Sequence, residues 1–518
     1  MAVSKLYSAQ ATLLKAQIID IEVDLARGLH SFSIVGLADK SVDESKDRVS
    51  AAIKNSGWKS PKNKNQKVVV SLAPADVKKE GPIFDLPIAI AYLLASEEIR
   101  ADVKKRLFIG ELSLDGELRP IKGALPIAEI AKKKGFAEIF LPSANAEEAS
   151  VISGIKIFGA DTLLDVIRHI NTKDFSETRP DLSPKEIPQY KKIKKKKNIR
   201  EIEVDFSDIK GQESAKRGLQ IAASGGHNIL MYGPPGTGKT MLARAFTHLL
   251  PDLSFDEMLE VTSIYSIGGM LSEGLIENPP FRSPHHTASY VSLIGGGANL
   301  KPGEVTLAHK GVLFLDEFPE FDRKVLESLR QPLEDREVTI ARAKGSAKYP
   351  AHFILVATMN PCPCGNYGVK GKECICSALV IEKYRRKISG PIMDRIDLWV
   401  EVSKVEHERL TDSREMHEGT EKMKPLVMKA RKIQEKRYSK LKIKTNAELT
   451  AKELVRHIKL SDSVKEILNK SAKQLDLSAR SYHRVIKLAR TIADMEGEKE
   501  IGMNHILEAL QYRPKRYV

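Results

Sequence analysis

Gly233-Pro-Pro-Gly-Thr-Gly-Lys-Thr240 is the stretch that decides how this 518-residue chain folds. It lies between a short apolar run, Asn228-Ile-Leu-Met-Tyr232, and a helix-forming segment, Met241-Leu-Ala-Arg-Ala-Phe246. Strand, glycine-rich turn and helix in that order form a phosphate cradle, because glycines let backbone N–H groups turn inward at a helix N-terminus. The pattern assigns nucleotide binding to Gly233, Pro234, Pro235, Gly236, Thr237, Gly238, Lys239 and Thr240. Lys239 is expected on the β- and γ-phosphates of ATP, and the Thr240 hydroxyl on Mg²⁺.

Downstream, Gly311-Val-Leu-Phe-Leu-Asp316-Glu317 reads as a buried strand that ends in two carboxylates. Unpaired buried carboxylates are costly, so an acid pair at this place points to a charge that compensates it. Asp316 is expected to hold Mg²⁺ and Glu317 to polarise the attacking water. His352 to Met359 is a further apolar strand, and Asn360 at its end can orient that water.

With these motifs in place the chain resembles the AAA+ ATPases, specifically the magnesium-chelatase-related branch and its ComM/YifB group. The resemblance spans nearly the whole sequence. Its most specific pieces are Pro280-Phe-Arg-Ser-Pro-His-His-Thr287, Gly295-Gly-Gly297, Pro302-Gly-Glu304, Leu307-Ala-His-Lys-Gly-Val-Leu-Phe-Leu-Asp-Glu317, Met359-Asn-Pro-Cys-Pro-Cys-Gly365 and Ser389-Gly-Pro-Ile-Met-Asp-Arg-Ile-Asp397. The last resembles the segment that presents an arginine finger, which implies that Arg395 reaches a neighbouring subunit's γ-phosphate. Leu477-Ser-Ala-Arg-Ser-Tyr-His483 resembles a sensor-2 helix start, which implies that Arg480 contacts phosphate from a lid, with Arg484 as its rival. A finger in trans requires an oligomer, and the family implies a ring, most often a hexamer.

The resulting fold class is α/β in four blocks. Residues 1–174 form a Lon-protease-like (ChlI-type) α+β domain, 175–203 a basic linker, 204–402 an AAA+ P-loop ATPase core with a parallel sheet, and 403–518 a C-terminal helical lid. In the first block Val68 to Leu72 reads as a buried strand, Pro87 to Leu94 as an apolar helix, and Arg106 to Glu117 as short strands around an Asp115-Gly116 turn. Ile121 to Lys134 reads as a helix ended by Gly135. Gly110-Glu-Leu-Ser-Leu-Asp-Gly-Glu-Leu-Arg-Pro-Ile-Lys-Gly-Ala-Leu125 resembles the Lon proteolytic domain. Ile83 stands where active members carry the serine and Pro126 where they carry the lysine. A Ser–Lys mechanism needs both groups, so no peptidase activity is expected. Dyad-free Lon-like domains in a bacterial recombination ATPase imply an oligomerising platform that contacts DNA.

All four cysteines fall in one loop, Cys362, Cys364, Cys374 and Cys376. Two C-x-C pairs can close a Cys₄ tetrahedron around a structural Zn²⁺; a redox-sensitive loop is the alternative. Such a site has no vacant position for catalysis.

Composition, with 42% hydrophobic and 29% charged residues, is that of a globular protein. No apolar run is long enough to span a bilayer, and Met1 to Gln10 shows no signal-peptide pattern, so the expected location is the cytoplasm, away from membranes. Net charge is +15, and Lys191 to Arg200 supplies seven of those charges, leaving +8 without it. The run is a nucleic-acid tether or a solubilising segment; the overall charge favours a polyanionic partner.

Asp335 to Pro350 reads as a β-hairpin with its tip near Gly345. Arg342 and Lys344 alternate with alanines, and Lys348 lies on the return strand. In related rings such hairpins line the pore, which implies DNA contact by these three cations; a solvent-facing edge hairpin is the plainer alternative. The expected function is an ATP-driven DNA motor, a branch-migration helicase of natural transformation or recombination that acts on single-stranded or branched DNA. The rivals are a chelatase-like remodeller of a protein–metal complex and a non-enzymatic scaffold.

Overall fold

A computed structural model describes residues 3–12, 15–173, 183–190, 204–271, 274–297, 301–342, 345–369, 371–405, 419–441 and 443–514. The chain divides into two compact units, Met1–Asn198 with Met258–Ile276, and Ile199–Glu257 with Glu277–Val518.

The first unit is built on a seven-stranded mixed sheet in the order Ser31–Val35, Gln66–Ala73, Lys15–Arg27, Ser4–Thr12, Arg106–Phe108, Glu138–Pro142, Lys156–Ala160. The strand expected from Val68 to Leu72 lies second from one edge, paired on both sides, with Val68, Val70 and Leu72 facing the core by simple alternation. The apolar helix is Asp85–Ala95, buried on nearly every side. The Asp115-Gly116 turn joins a small hairpin, Glu111–Leu112 with Leu118–Arg119, whereas Arg106–Phe108 runs in the large sheet. The helix Ala124–Lys133 ends where expected, with Gly135 at φ +79°.

The second unit has a five-stranded parallel sheet in the order Phe281–Arg282, Val312–Leu315, Ile354–Met359, Ile229–Tyr232, Leu398–Glu401. Near-continuous Val, Ile and Leu in these strands fit a sheet covered on both faces. The helices Thr420–Arg437, Asp462–Gln474 and Ala479–Glu496 pack into one apolar core with it. Val427, Leu468, Leu488 and Ile492 share that core with Leu219, Ile229 and Val400.

The two-unit division differs from the four-block expectation at three places. The helical block after residue 403 belongs to the same compact unit as the sheet. Within the linker expected at 175–203, residues 183–190 are tied to the first unit: the Tyr190 N–H donates to the Ile157 carbonyl at 2.9 Å and the Ile187 N–H to His169 Nδ1 at 2.9 Å. The lysine run lies outside the described residues. Met258–Ile276, an internal piece of the expected ATPase core, belongs to the first unit. There the Ser266 hydroxyl accepts from the Gly123 N–H at 3.0 Å and donates to the Glu148 carboxylate at 2.5 Å. The Leu125 N–H binds the same carboxylate at 2.8 Å. Among the described residues no helix is long and apolar enough to cross a membrane.

Candidate functional site

Three loops leave the C-terminal ends of adjacent parallel strands and meet. The first is the P-loop after Ile229–Tyr232. Its first glycine cannot be replaced without a shift, because a Cβ at Gly233 would stand 2.1 Å from the Val402 carbonyl oxygen. Gly236 and Gly238 have φ of +76° and +87°, the left-handed backbone that aims N–H groups into the turn. The helix Lys239–Phe246 starts at once, with its N-terminus facing the loop.

Lys239 is buried, and its ammonium is held by the Gly233 and Pro234 carbonyls, each at 2.7 Å, and by Asn360 Oδ1 at 3.2 Å. Burial pulls its pKa down to about 8, against the opposing pull of Asp316 and Glu317. The Thr240 hydroxyl donates to the Asp316 carboxylate at 3.0 Å, so both expected Mg²⁺ ligands already face one point. Lys239, Thr240, Asp316 and Asn360, read separately from the sequence, thus come together.

Thr358, which sequence reasoning did not single out, orients the acid pair. Its hydroxyl donates to Asp316 and accepts the Glu317 N–H at 3.2 Å. Glu317 itself sits at φ +52°, a left-handed conformation unusual for a glutamate, with its side chain projecting outward. His286 Nδ1 stands 3.7 Å from the Glu317 carboxylate, which gives one residue of the Pro280–Thr287 motif a place beside the acid pair. Two adjacent histidines just after a short strand were the available signal.

The four cysteine sulfurs converge, all lying within 4.8 Å of one another. Three of the separations are 3.3, 3.7 and 3.6 Å. A zinc tetrathiolate with Zn–S near 2.3 Å has tetrahedral edges of about 3.8 Å, so the donor set fits Zn²⁺. The Tyr367 N–H points at Cys362 Sγ at 3.3 Å, as it would toward a thiolate. The loop also touches the nucleotide site: a Cβ on Gly365 would come within 2.6 Å of Pro235 Cδ.

The two arginines implicated in phosphate contact sit elsewhere. Asn228 precedes Ile229–Tyr232, and Asp397 precedes Leu398–Glu401, so both mark the N-terminal edge of the sheet. A four-residue strand, about 13 Å, separates that edge from the P-loop. The Arg395 carbonyl accepts from Asn228 Nδ2 at 3.0 Å and from Arg484 at 3.0 Å. Its guanidinium, 7% exposed, is bound by the Glu334 carboxylate and by the Pro391 carbonyl at 2.7 Å. Arg480, 53% exposed, binds the other oxygen of the same Glu334. The structure therefore brings Arg480 to Arg395 rather than to Lys239. Arg484, the rival, is a structural anchor: it binds Asp397 and the Arg395 carbonyl. Burial alone would raise the Asp397 pKa, but Arg484 and His227 hold it well below the usual carboxylate range.

The hairpin forms from Glu337–Arg342 and Gly345–Pro350, with Arg342 paired to Gly345. Val338, Ile340, Ala347 and Tyr349 are buried. Lys348 is on the exposed face and pairs with Glu337 at 2.5 Å. The Arg342 side chain and Lys344 lie outside the described residues. In the first unit, Ile83 is packed against core residues and Pro126 is buried in the first turn of its helix.

Three segments match magnesium chelatase families: residues 205–410 match magnesium chelatase, subunit ChlI; residues 21–145 match subunit ChlI of Mg-chelatase; and residues 417–513 match the ChlI C-terminal family. The chain is 42% identical to competence protein ComM of Haemophilus influenzae over 518 residues, 99% of this chain and 98% of that protein. It is 40% identical to the uncharacterized protein YifB of Escherichia coli over 515 residues, 99% of this chain and 97% of that one. The magnesium-chelatase 67 kDa subunit of Chlorobaculum parvum is 30% identical over 164 residues, 30% of this chain and 23% of that subunit. A P-loop at the C-terminal edge of a parallel sheet, an acid pair on the next strand but one, and full-length similarity to ComM and YifB together place this chain in the ComM/YifB family of magnesium-chelatase-like AAA+ proteins.

Proposed function

We propose that this protein is an ATP-driven DNA motor that works as a ring, most simply a hexamer, in the uptake or recombination of DNA. The observation that carries the reading is the convergence of Lys239, Thr240, Asp316, Glu317 and Asn360 at one edge of the sheet, in a chain similar along its whole length to a competence protein. In this scheme Lys239 leaves its loop carbonyls for the β- and γ-phosphates. Thr240 and Asp316 hold Mg²⁺, which screens the phosphate charge when bound. Glu317 draws the proton from the attacking water, and Asn360 orients that water.

Arg395 and Arg480, at the opposite edge, cannot serve this pocket. They act on the triphosphate of a neighbouring copy, so that each pocket is completed by a second subunit. The Cys₄ loop holds a structural Zn²⁺ and stiffens the P-loop through Gly365 and Pro235. The hairpin carrying Arg342, Lys344 and Lys348 contacts the DNA backbone, and the free energy of hydrolysis moves it along the strand or duplex. Branch migration of integrating DNA is the activity this arrangement suits.

The test is the ATPase rate with and without single-stranded and branched DNA over a salt series. The motor reading expects stimulation by DNA and binding that weakens linearly in log–log form as salt rises. Turnover indifferent to DNA, together with no salt-dependent binding, sinks it. The partial likeness to a chelatase subunit favours a second reading, ATP-driven remodelling of a protein–metal complex, and that outcome would favour it.

A further inference from the structure

An arginine finger is useful only if its guanidinium is free to meet a phosphate. Arg395 is not free here. Its side chain is almost fully covered and spends its charge on Glu334. The backbone around it is fixed: Asn228 and Arg484 hold the Arg395 carbonyl, Arg513 holds the Ile396 carbonyl at 3.3 Å, and the Asn228 N–H binds Asp397 at 3.1 Å. Any movement that exposes the finger must therefore be a swing of the side chain away from Glu334. The same carboxylate holds Arg480 with its second oxygen. One acid thus controls both cations that would face a neighbour.

Glu334 is also placed to feel the hairpin. It is the penultimate residue of the helix Arg330–Asp335. The next residue after that helix, Arg336, turns the chain at φ +58° directly into the strand Glu337–Arg342. Arg336 is itself tied down by Glu448 at 3.2 Å. A displacement of the hairpin base has only Arg336 between it and the end of the Glu334 helix.

We propose that Glu334 is a latch: it sequesters Arg395 and Arg480 until the hairpin is displaced by its polyanionic ligand, and so ties turnover to ligand engagement. Glu334 touches neither nucleotide nor DNA; it is a positioning residue that acts through the two arginines. The inference rests on the trans-acting role given to Arg395 above.

The experiment uses the full-length chain at concentrations where it assembles, with ATPase measured with and without single-stranded DNA. Glu334→Gln, which keeps the shape, and Glu334→Ala, which removes both acceptors, should each raise the DNA-free rate, Glu334→Ala by roughly 10-fold, the scale of one lost charge-assisted hydrogen bond. The ratio of stimulated to basal rate should shrink correspondingly. The double variant Glu334→Ala/Arg395→Ala should be as slow as Arg395→Ala alone. A DNA-free rate that stays the same or falls in both Glu334 variants, while Arg395→Ala is inactive, overturns the latch alone. Full turnover by Arg395→Ala overturns the trans-finger reading and the latch with it. Wild-type protein indifferent to DNA sinks the motor reading and the release of the latch by a polyanion, whereas a raised basal rate in the variants would then still support sequestration of the two arginines by Glu334.

Discussion

The two edges of the five-stranded sheet make a pointed contrast. At the C-terminal edge the charged groups are mismatched by design of the loops: a lysine rests on carbonyls, two carboxylates lie close together, and burial depresses the lysine pKa. At the N-terminal edge several cations are spent on carboxylates: Arg395 and Arg480 on Glu334, Arg484 on Asp397, and Lys310 and Lys444 on Glu257. An edge with unspent charge is built to receive a ligand, and an edge with spent charge is built to hold shape until something competes for its cations. In the proposed ring each subunit carries two unlike halves of one pocket, about a strand length apart, and a second copy joins them.

The sharpest way to break this contrast is to remove Arg395, the proposed finger. Arg395→Ala should lower turnover by roughly 10³–10⁵-fold, the range for trans-acting arginines. Mixing it with Lys239→Ala, which cannot bind productively, should restore part of the rate; no restoration in demonstrated mixed assemblies argues that the two edges do not cooperate. Next in size, Glu317→Gln should cut turnover by about 10²–10⁴-fold, as expected for a lost general base, while fluorescent ATP still binds. Binding lost along with turnover would move Glu317 from chemistry to affinity.

The closed edge is sharpened by separating Arg484 from Arg480. Arg484→Ala leaves the buried Asp397 without its main partner and should cost about 3–5 kcal/mol in chemical unfolding. Arg480→Ala, at an exposed pair, should cost no more than about 1 kcal/mol yet slow hydrolysis. Equal effects on stability would erase the distinction drawn between them. The smallest effect is a pH dependence at Glu257. Burial alone would raise its pKa, but Lys444, the Ser254 N–H and Lys310 bring it down to about 2. A carboxylate depressed in the folded state stabilises above its unfolded pKa, and that stability is lost as pH falls from about 4.5 toward 2. Glu257→Gln should thus lower the melting temperature at pH 7, with the gap from wild type closing as pH drops through that window.

The open edge was legible in the sequence because its parts are contiguous motifs. The P-loop, the Asp316-Glu317 pair and Asn360 each end a strand that apolar runs mark plainly, and parallel pairing brings strand ends together without further information. The closed edge was not legible. Glu334 lies 61 positions from Arg395 and 146 from Arg480, and nothing local to Arg330–Asp335 distinguishes it from a solvated acid. The sensor-like motif at Arg480 implied a phosphate contact but gave no hint of its pairing with Glu334, since direction depends on how the helix Ala479–Glu496 packs. Thr358 was hidden inside a strand read only for its apolarity. The membership of Met258–Ile276 in the first unit shows in contacts such as Ser266–Glu148, 118 positions apart, beyond the reach of periodicity or turn chemistry.

That excursion has a consequence for anyone dividing or hybridising the molecule. Because Met258–Ile276 completes the first unit, the chain passes from one unit to the other three times. A single scission near residue 198 would leave nineteen residues of the downstream fragment still seated on the upstream one, so the pieces should co-elute. A graft of the N-terminal unit from a relative must bring the matching Met258–Ile276 segment with it, or Glu148 and Gly123 will meet a foreign surface.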